Sequence, residues 1–228
     1  MNFILFIAIQ FSIFLNMDSF NNSYLAGMKK YTYLALGDSY TIGESVPAVE
    51  NFPNQTVQLL KKAGYEFESP EIVAKTGWTT DELQGAIHQH QFRSSYDFVT
   101  LLIGVNNQYR GRSVEEYKPE FESLLQQAIQ FAGNEADHVI VLSIPDWGVT
   151  PFAAEKDRTQ IAKEIDAFNE ANKKISGIYK VHYIDITTGT REATFDRNLI
   201  ASDGLHPSGK EYSRWAEKLK MIIESMLK

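Results

Sequence analysis

From Tyr31 onward the chain alternates between two kinds of apolar pattern. Short continuous runs carry β-branched and aliphatic residues with few polar interruptions: Tyr31 to Leu36, Glu71 to Ala74, Phe98 to Ile103, His138 to Ile144 and Val181 to Ile186. Such runs suit strands covered on both faces, as in a parallel sheet. Between them, apolar residues return every three or four positions, the spacing of an amphipathic helix. Val114, Tyr117, Phe121, Leu124, Leu125 and Ala128 predict one helix, opened by a Ser113–Glu116 capping box and kinked or restarted at Pro119. Ile161, Ile165, Phe168 and Ile175 predict a second, stopping at Gly177. Tyr212, Trp215, Leu219, Ile222, Ile223 and Met226 predict the last, with Pro207 in its first turn. Together these elements predict an α/β fold, a three-layer α/β/α sandwich around a five-stranded, mostly parallel, doubly wound sheet. Ligands of such folds bind beyond the carboxyl ends of the strands. The loops after Leu36, Ala74, Ile103, Ile144 and Ile186 are therefore where chemistry is expected.

The 228 residues suffice for one domain with a sizeable core. A formal net charge of −7, with no basic block, argues against nucleic acid and against an anionic membrane surface. There is no cysteine, so disulfides, thiolate catalysis and Cys-based zinc sites are excluded. Phe3 to Leu15 is apolar apart from Gln10 and Ser12, but shorter than the ~20 residues that span a bilayer. It has the length of a signal-peptide core. However, no Lys or Arg precedes it, and Tyr24-Leu25-Ala26 offers a bulky residue where cleavage wants small ones. Met28-Lys29-Lys30 resembles a bacterial start. Two expectations stand side by side. Residues 1–27 are a targeting or anchor segment of an exported or membrane-associated protein, or translation starts at Met28 and the protein is cytoplasmic. In both, residues 28–228 form a single domain.

Four strand-end loops carry candidate chemistry. The first reads Gly37-Asp38-Ser39-Tyr40, with a serine leaving a strand and entering a helix, whose backbone N–H groups favour developing negative charge. Alone, Asp38 and Ser39 read equally well as a helix cap. The last reads Asp203-Gly204-Leu205-His206-Pro207. A hydroxyl needs an adjacent base to act as a nucleophile, and an imidazole needs a carboxylate to hold its tautomer. Asp203 and His206, three apart on a tight loop, have the spacing to meet. Gly104-Val105-Asn106-Asn107 ends the central strand and offers an amide donor, or simply a polar turn. Lys75-Thr76-Gly77-Trp78 places a glycine where a backbone N–H can approach a substrate, or simply turns the chain.

These four blocks, in this order, resemble the SGNH (GDSL-type) hydrolases, from about Tyr31 to the C-terminus. The resemblance implies the flavodoxin-like SGNH hydrolase fold and ester hydrolysis without a cofactor or metal. It also implies roles. Ser39 is the nucleophile, His206 the general base and Asp203 its orienting partner. The Ser39 and Gly77 N–H groups and the Asn106 side chain form the oxyanion hole. Two positions depart from the family pattern: Tyr40 stands where Leu is usual, and Asn107 where Asp is usual.

Tyr40, Trp78, Tyr109 and Trp147 sit in these loops and are candidate pocket walls. His88 and His90 lie in a polar helical stretch and read as solvated, His138 and His182 as structural, Arg110 and Arg112 as surface salt-bridge partners. A non-catalytic binding module is the rival class, although it has no need of Ser, His and Asp together. A nucleotide- or flavin-binding protein is disfavoured by the lack of a P-loop or Gly-x-Gly-x-x-Gly run. The expected partner is a small-molecule ester, and a homo-oligomer is left open. Connections too short for an inserted lid favour a short, acetyl-type acyl group over the long chains of a lysophospholipase or thioesterase substrate. The longest connection without predicted structure is Pro145 to Ala154.

Overall fold

A computed structural model describes residues 29–227, so the expectations for residues 1–27 lie outside the described residues. Five strands form one sheet: β1 (Tyr33–Asp38), β2 (Glu71–Lys75), β3 (Phe98–Leu102), β4 (Val139–Leu142) and β5 (His182–Ile184). Their order is β2-β1-β3-β4-β5 and every pairing is parallel. Every residue of β1, β3 and β4 is buried, which is why their sequences are apolar but for Thr100 and the strand-end Asp38.

The helices are α1 (Ser39–Ile42), α2 (Phe52–Lys62), α3 (Thr80–Gln89), α4 (Val105–Tyr109), α5 (Val114–Phe131), α6 (Arg158–Tyr179), α7 (Thr187–Arg191) and α8 (Gly209–Met226). The chain steps from β1 outward to β2, then back across β1 to β3, so right-handed crossovers place α2 on one face and α3, α5 and α6 on the other. α2 packs on α8, and α5 packs on both α3 and α6. Phe52 of α2 meets Tyr212 and Trp215 of α8 at ring-centroid distances of 6.4 and 6.0 Å, all three fully buried. Burying side chains of this size stabilises by roughly 1.5–3 kcal/mol each. That contact clamps together the helices that follow the Ser39 and His206 loops.

Local chemistry fixes the helix ends. Ser113 Oγ accepts from Glu116 N, and the Glu116 carboxylate accepts from Ser113 N at 2.9 Å, the reciprocal cap expected from the sequence. Three expectations are corrected. α5 does not restart at Pro119 but runs through it as one helix. α6 continues past Gly177 to Tyr179, and Lys180 closes it in the left-handed region, its N–H reaching the carbonyls of Gly177 and Ser176. Pro207 is not in the first turn of α8. It bridges Ile200, and Ser208 is the cap, because its hydroxyl accepts from Glu211 N.

Candidate active site

The switch between β2 and β3 on either side of β1 opens a crevice at the strand carboxyl ends, as in other doubly wound folds. The four blocks lie there. Ser39 is the first residue after β1, and Asp38 caps the single turn of α1 by accepting from Tyr40 N at 3.0 Å. The β1 end fits tightly. A Cβ on Gly37 would sit 2.5 Å from the Leu102 carbonyl, so glycine alone allows β1 to lie this close to β3. Gly104 opens the third block at φ +129°, and a Cβ there would strike the Tyr117 ring at 2.7–2.9 Å. The Tyr117 hydroxyl lies 2.9 Å from Ile103 O and 2.7 Å from Asn172 Oδ1, two acceptors sharing its one proton, and so packs against the strand end just before Asn106.

His206 and Asp203 meet on the loop before α8. His206 Nδ1 lies 2.6 Å from Asp203 Oδ2, while Asp203 Oδ1 accepts the N–H groups of Leu205 and His206 at 2.9 and 3.0 Å. Partial burial works to raise the Asp203 pKa. The hydrogen bonds from His206, Leu205 and Ser45 outweigh it and hold the carboxyl at about 2. An ionised carboxylate only accepts, so it keeps the neutral imidazole's proton on Nδ1 and leaves Nε2 basic.

Ser39, Asn106 and His206 line one cleft with Tyr40, Val105, Tyr109, Trp147, Phe152 and Leu205, about 450 Å³ in volume with the solvent at its open mouth included. Ser39 and His206 are each nearly buried. Tyr40 is buried too, its ring 5.0 Å from that of His206, so the departure from Leu places an aromatic face beside the imidazole. Burial, and then the carboxylates of Asp38, Asp203 and Asp146, push its phenol pKa up, so it stays neutral. A second, smaller recess shares Tyr40, Trp147, Leu205 and His206 and is otherwise walled mainly by apolar groups, among them Ala193, Leu199 and Ile200.

The Asn106 amide donates to Trp78 O at 3.0 Å and to Asp38 Oδ2 at 3.3 Å. Burial raises the Asp38 carboxyl to about 7, against the hydrogen bonds from Tyr40 N and Asn106. Asn107 points elsewhere. Its Oδ1 accepts from Thr80 N at 3.1 Å and its Nδ2 donates to Thr80 Oγ1 at 2.6 Å, while the Thr80 hydroxyl in turn donates to Glu120. Asn rather than Asp fits here, because Glu120 already takes the hydroxyl proton that an Asp would need.

The sequence-predicted wall residues divide. Tyr40, Tyr109 and Trp147 line the cleft. The lining does not include Trp78, whose half-buried side chain packs against the core and whose carbonyl serves Asn106. Nor does it include Gly77, which turns at φ +84° with its carbonyl accepting from Arg110 at 2.6 Å. Phe152 and Leu205 stand in the wall unannounced by the sequence. The stretch 145–154 is not irregular throughout. It folds into two 3-10 turns, Trp147–Val149 and Pro151–Ala153. Trp147 Nε1 donates to Gln108 at 2.7 Å and Phe152 N to Gly204 O at 3.0 Å, so this segment joins the Asn106 and His206 loops.

The other marked residues have partners of their own. Arg110 pairs with Glu82 at 3.1 Å and Arg112 with Asp81 at 2.7 Å. His90 pairs with Glu71, His88 faces Gln84, and His138 stacks on Phe98.

Residues 35–214 match the GDSL-like lipase/acylhydrolase family. No match was found among curated protein sequences. Solved structures with this fold include the acetylxylan esterase Axe2 from Geobacillus stearothermophilus, with a TM-score of 0.67 and 18% identity over 86% of this chain and 95% of that one. A lipase/acylhydrolase from Enterococcus faecalis also scores 0.67, at 18% identity over 86% and 96%. The psychrotrophic esterase EstA from Pseudoalteromonas sp. scores 0.62, at 16% identity over 87% and 99%. At these identities the likeness concerns the fold. The family match takes in the Ser39, Gly77, Asn106 and His206 loops together, and on it the chain belongs to the GDSL-like lipase/acylhydrolase family and is a hydrolase of ester bonds.

Proposed function

We propose that the protein is a serine esterase acting on short-acyl, acetyl-type esters, with Ser39 as the acylated residue. The observation that carries this reading is the 2.6 Å Asp203–His206 contact at the edge of the cleft that also holds Ser39. Ser39 Oγ attacks the ester carbonyl while its proton passes to His206 Nε2. The tetrahedral oxyanion is met by the Ser39 N–H group and the Asn106 amide, while Gly77, the third donor the family resemblance implies, lies outside the cleft lining in the free protein. Both Nδ2 hydrogens of Asn106 are engaged in the free protein, so its donation to the oxyanion releases one of its bonds to Trp78 O or Asp38. His206 returns the proton to the leaving alcohol, and the bond to it breaks. Water, deprotonated by His206, then attacks the acyl-enzyme, giving the carboxylic acid and free Ser39.

The rim supports the short-acyl part. Tyr109 and Phe152 are 51% and 46% exposed, and their rings lie 5.3 and 6.0 Å from that of Trp147. Such faces suit a bulky alcohol, including a sugar, at the open mouth. The segment 145–154, the longest expected to lack regular structure, is packed down as wall rather than raised as a lid. A long alkyl chain, at about 25 cal/mol per Å² of covered surface, needs more enclosure than an open rim supplies. The test is kcat/KM across acetyl, butyryl, octanoyl and palmitoyl p-nitrophenyl esters, with the maximum expected at acetyl or butyryl. A maximum at octanoyl or longer overturns the short-acyl reading in favour of a lysophospholipase or long-chain thioesterase.

A further inference from the structure

Beyond Ile42, the end of α1, the chain makes a turn closed by Val46 N donating to Gly43 O at 3.2 Å. Ser45 is the third residue of that turn and has φ +66°. A turn with positive φ at this position favours glycine or asparagine, and a residue with a Cβ adopts it at a cost. Two other non-glycine residues in this region of the described chain, Asn134 and Lys180, follow the ends of α5 and α6, where left-handed residues are routine. Ser45 has no such role, because Gly43 already supplies the left-handed cap of α1.

The Ser45 hydroxyl donates to Asp203 Oδ2 at 2.8 Å. With it, both oxygens of the carboxylate are fully used: Oδ1 by two backbone N–H groups, Oδ2 by His206 Nδ1 and Ser45 Oγ. The same turn also reaches the other blocks. Gly43 N and Glu44 N both donate to Ser39 O, at 3.1 and 3.0 Å, and the Glu44 carboxylate accepts from the hydroxyl of Thr76, next to Gly77.

We infer that Ser45 is a positioning residue for the reaction, holding the Asp203 carboxylate so that Oδ2 keeps the His206 Nδ1 proton in place. The inference rests on the roles proposed for Asp203 and His206. The Asp203 side chain is only partly buried, and without the Ser45 hydroxyl Oδ2 keeps His206 Nδ1 as its one protein partner and is open to competing water. A side chain kept in a glycine-favouring conformation is then explained by the bond it makes.

Ser45→Gly tests this, since glycine suits the turn and the fold is retained. Expected is a loss of roughly fivefold in kcat for p-nitrophenyl acetate, the worth of one hydrogen bond, with KM unchanged and the thermal midpoint at or above the parent's. In an Asp203→Ala background the same change should alter kcat less than twofold, because the group it positions is gone. Ser45→Asn, which tolerates the conformation and carries a donor, should recover part of the loss. Unchanged kcat in Ser45→Gly, or an equal loss in both backgrounds, overturns the inference. If Asp203→Ala itself leaves kcat intact, the triad assignment fails and the inference with it.

Discussion

Asp38 and Asn106, the residue before the proposed nucleophile and a proposed oxyanion donor, share a hydrogen bond of 3.3 Å between Oδ2 and Nδ2. Asp38 is buried, and burial lifts its carboxyl from 3.8 to about 7. Between about pH 4 and 7 Asp38 in the folded protein therefore holds a proton that the unfolded chain has already released. Its contribution is fully present below pH 3.8 and is lost as pH rises through 7, by about 4 kcal/mol at most. Asp38→Asn escapes this loss. Its thermal midpoint should gain on the parent's from about pH 4 to 7 and level off above that. A difference independent of pH would show that Asp38 does not titrate in this range. Asp203 acts with the opposite sign: held near 2, it stabilises above pH 3.8 and ceases to as pH falls toward 2.

Asn107→Asp restores the family's usual residue and should nonetheless destabilise this protein. The side chain is buried, and its Nδ2 donates to Thr80 Oγ1, whose own proton goes to Glu120. An Asp there leaves two carboxylates contesting one hydroxyl proton, at a cost of about 1–3 kcal/mol. Adding Glu120→Gln should recover most of that in denaturant unfolding. Full parental stability in Asn107→Asp alone would disprove this account of the departure.

Asn106→Ala should lower kcat by ~10²–10³ with a smaller change in KM, as for the loss of a donor that acts mainly in the transition state. Steady-state kinetics on p-nitrophenyl acetate decide it. A kcat within a few-fold of the parent would reduce Asn106 to the residue that ties Trp78 O to Asp38.

How much the sequence disclosed depends on how local each signal is. β1, β3 and β4 were legible because burial on both faces leaves almost wholly apolar runs, with Thr100 and the strand-end Asp38 the polar exceptions. Ser39 and the Asp203–His206 pair were legible because each sits within a few residues of its own cap or turn. Helix ends were read less well. Gly177 and Pro207 are good stop and start signals in isolation, yet Lys180 and Ser208 hold those ends: Ser208 has cap spacing to Glu211 but stands beside the stronger-looking Pro207, and Lys180 enters the left-handed region with no such signal. Long-range partners were not legible at all. Ser45 meets Asp203, and Phe152 reaches Gly204, only once the sheet brings distant loops together. Trp78 shows the converse: its block lies in the crevice, but the backbone there turns the ring toward the core.

Ser39 is proposed as the residue acylated by the substrate. The most direct measurement of this is covalent labelling by a fluorophosphonate, read by intact-protein and peptide mass in the parent and in Ser39→Ala, alongside hydrolysis of p-nitrophenyl acetate. One adduct per chain is expected, located on Ser39, with both adduct and hydrolysis lost in Ser39→Ala. An adduct on another residue, or hydrolysis that persists in Ser39→Ala, would contradict that role for Ser39.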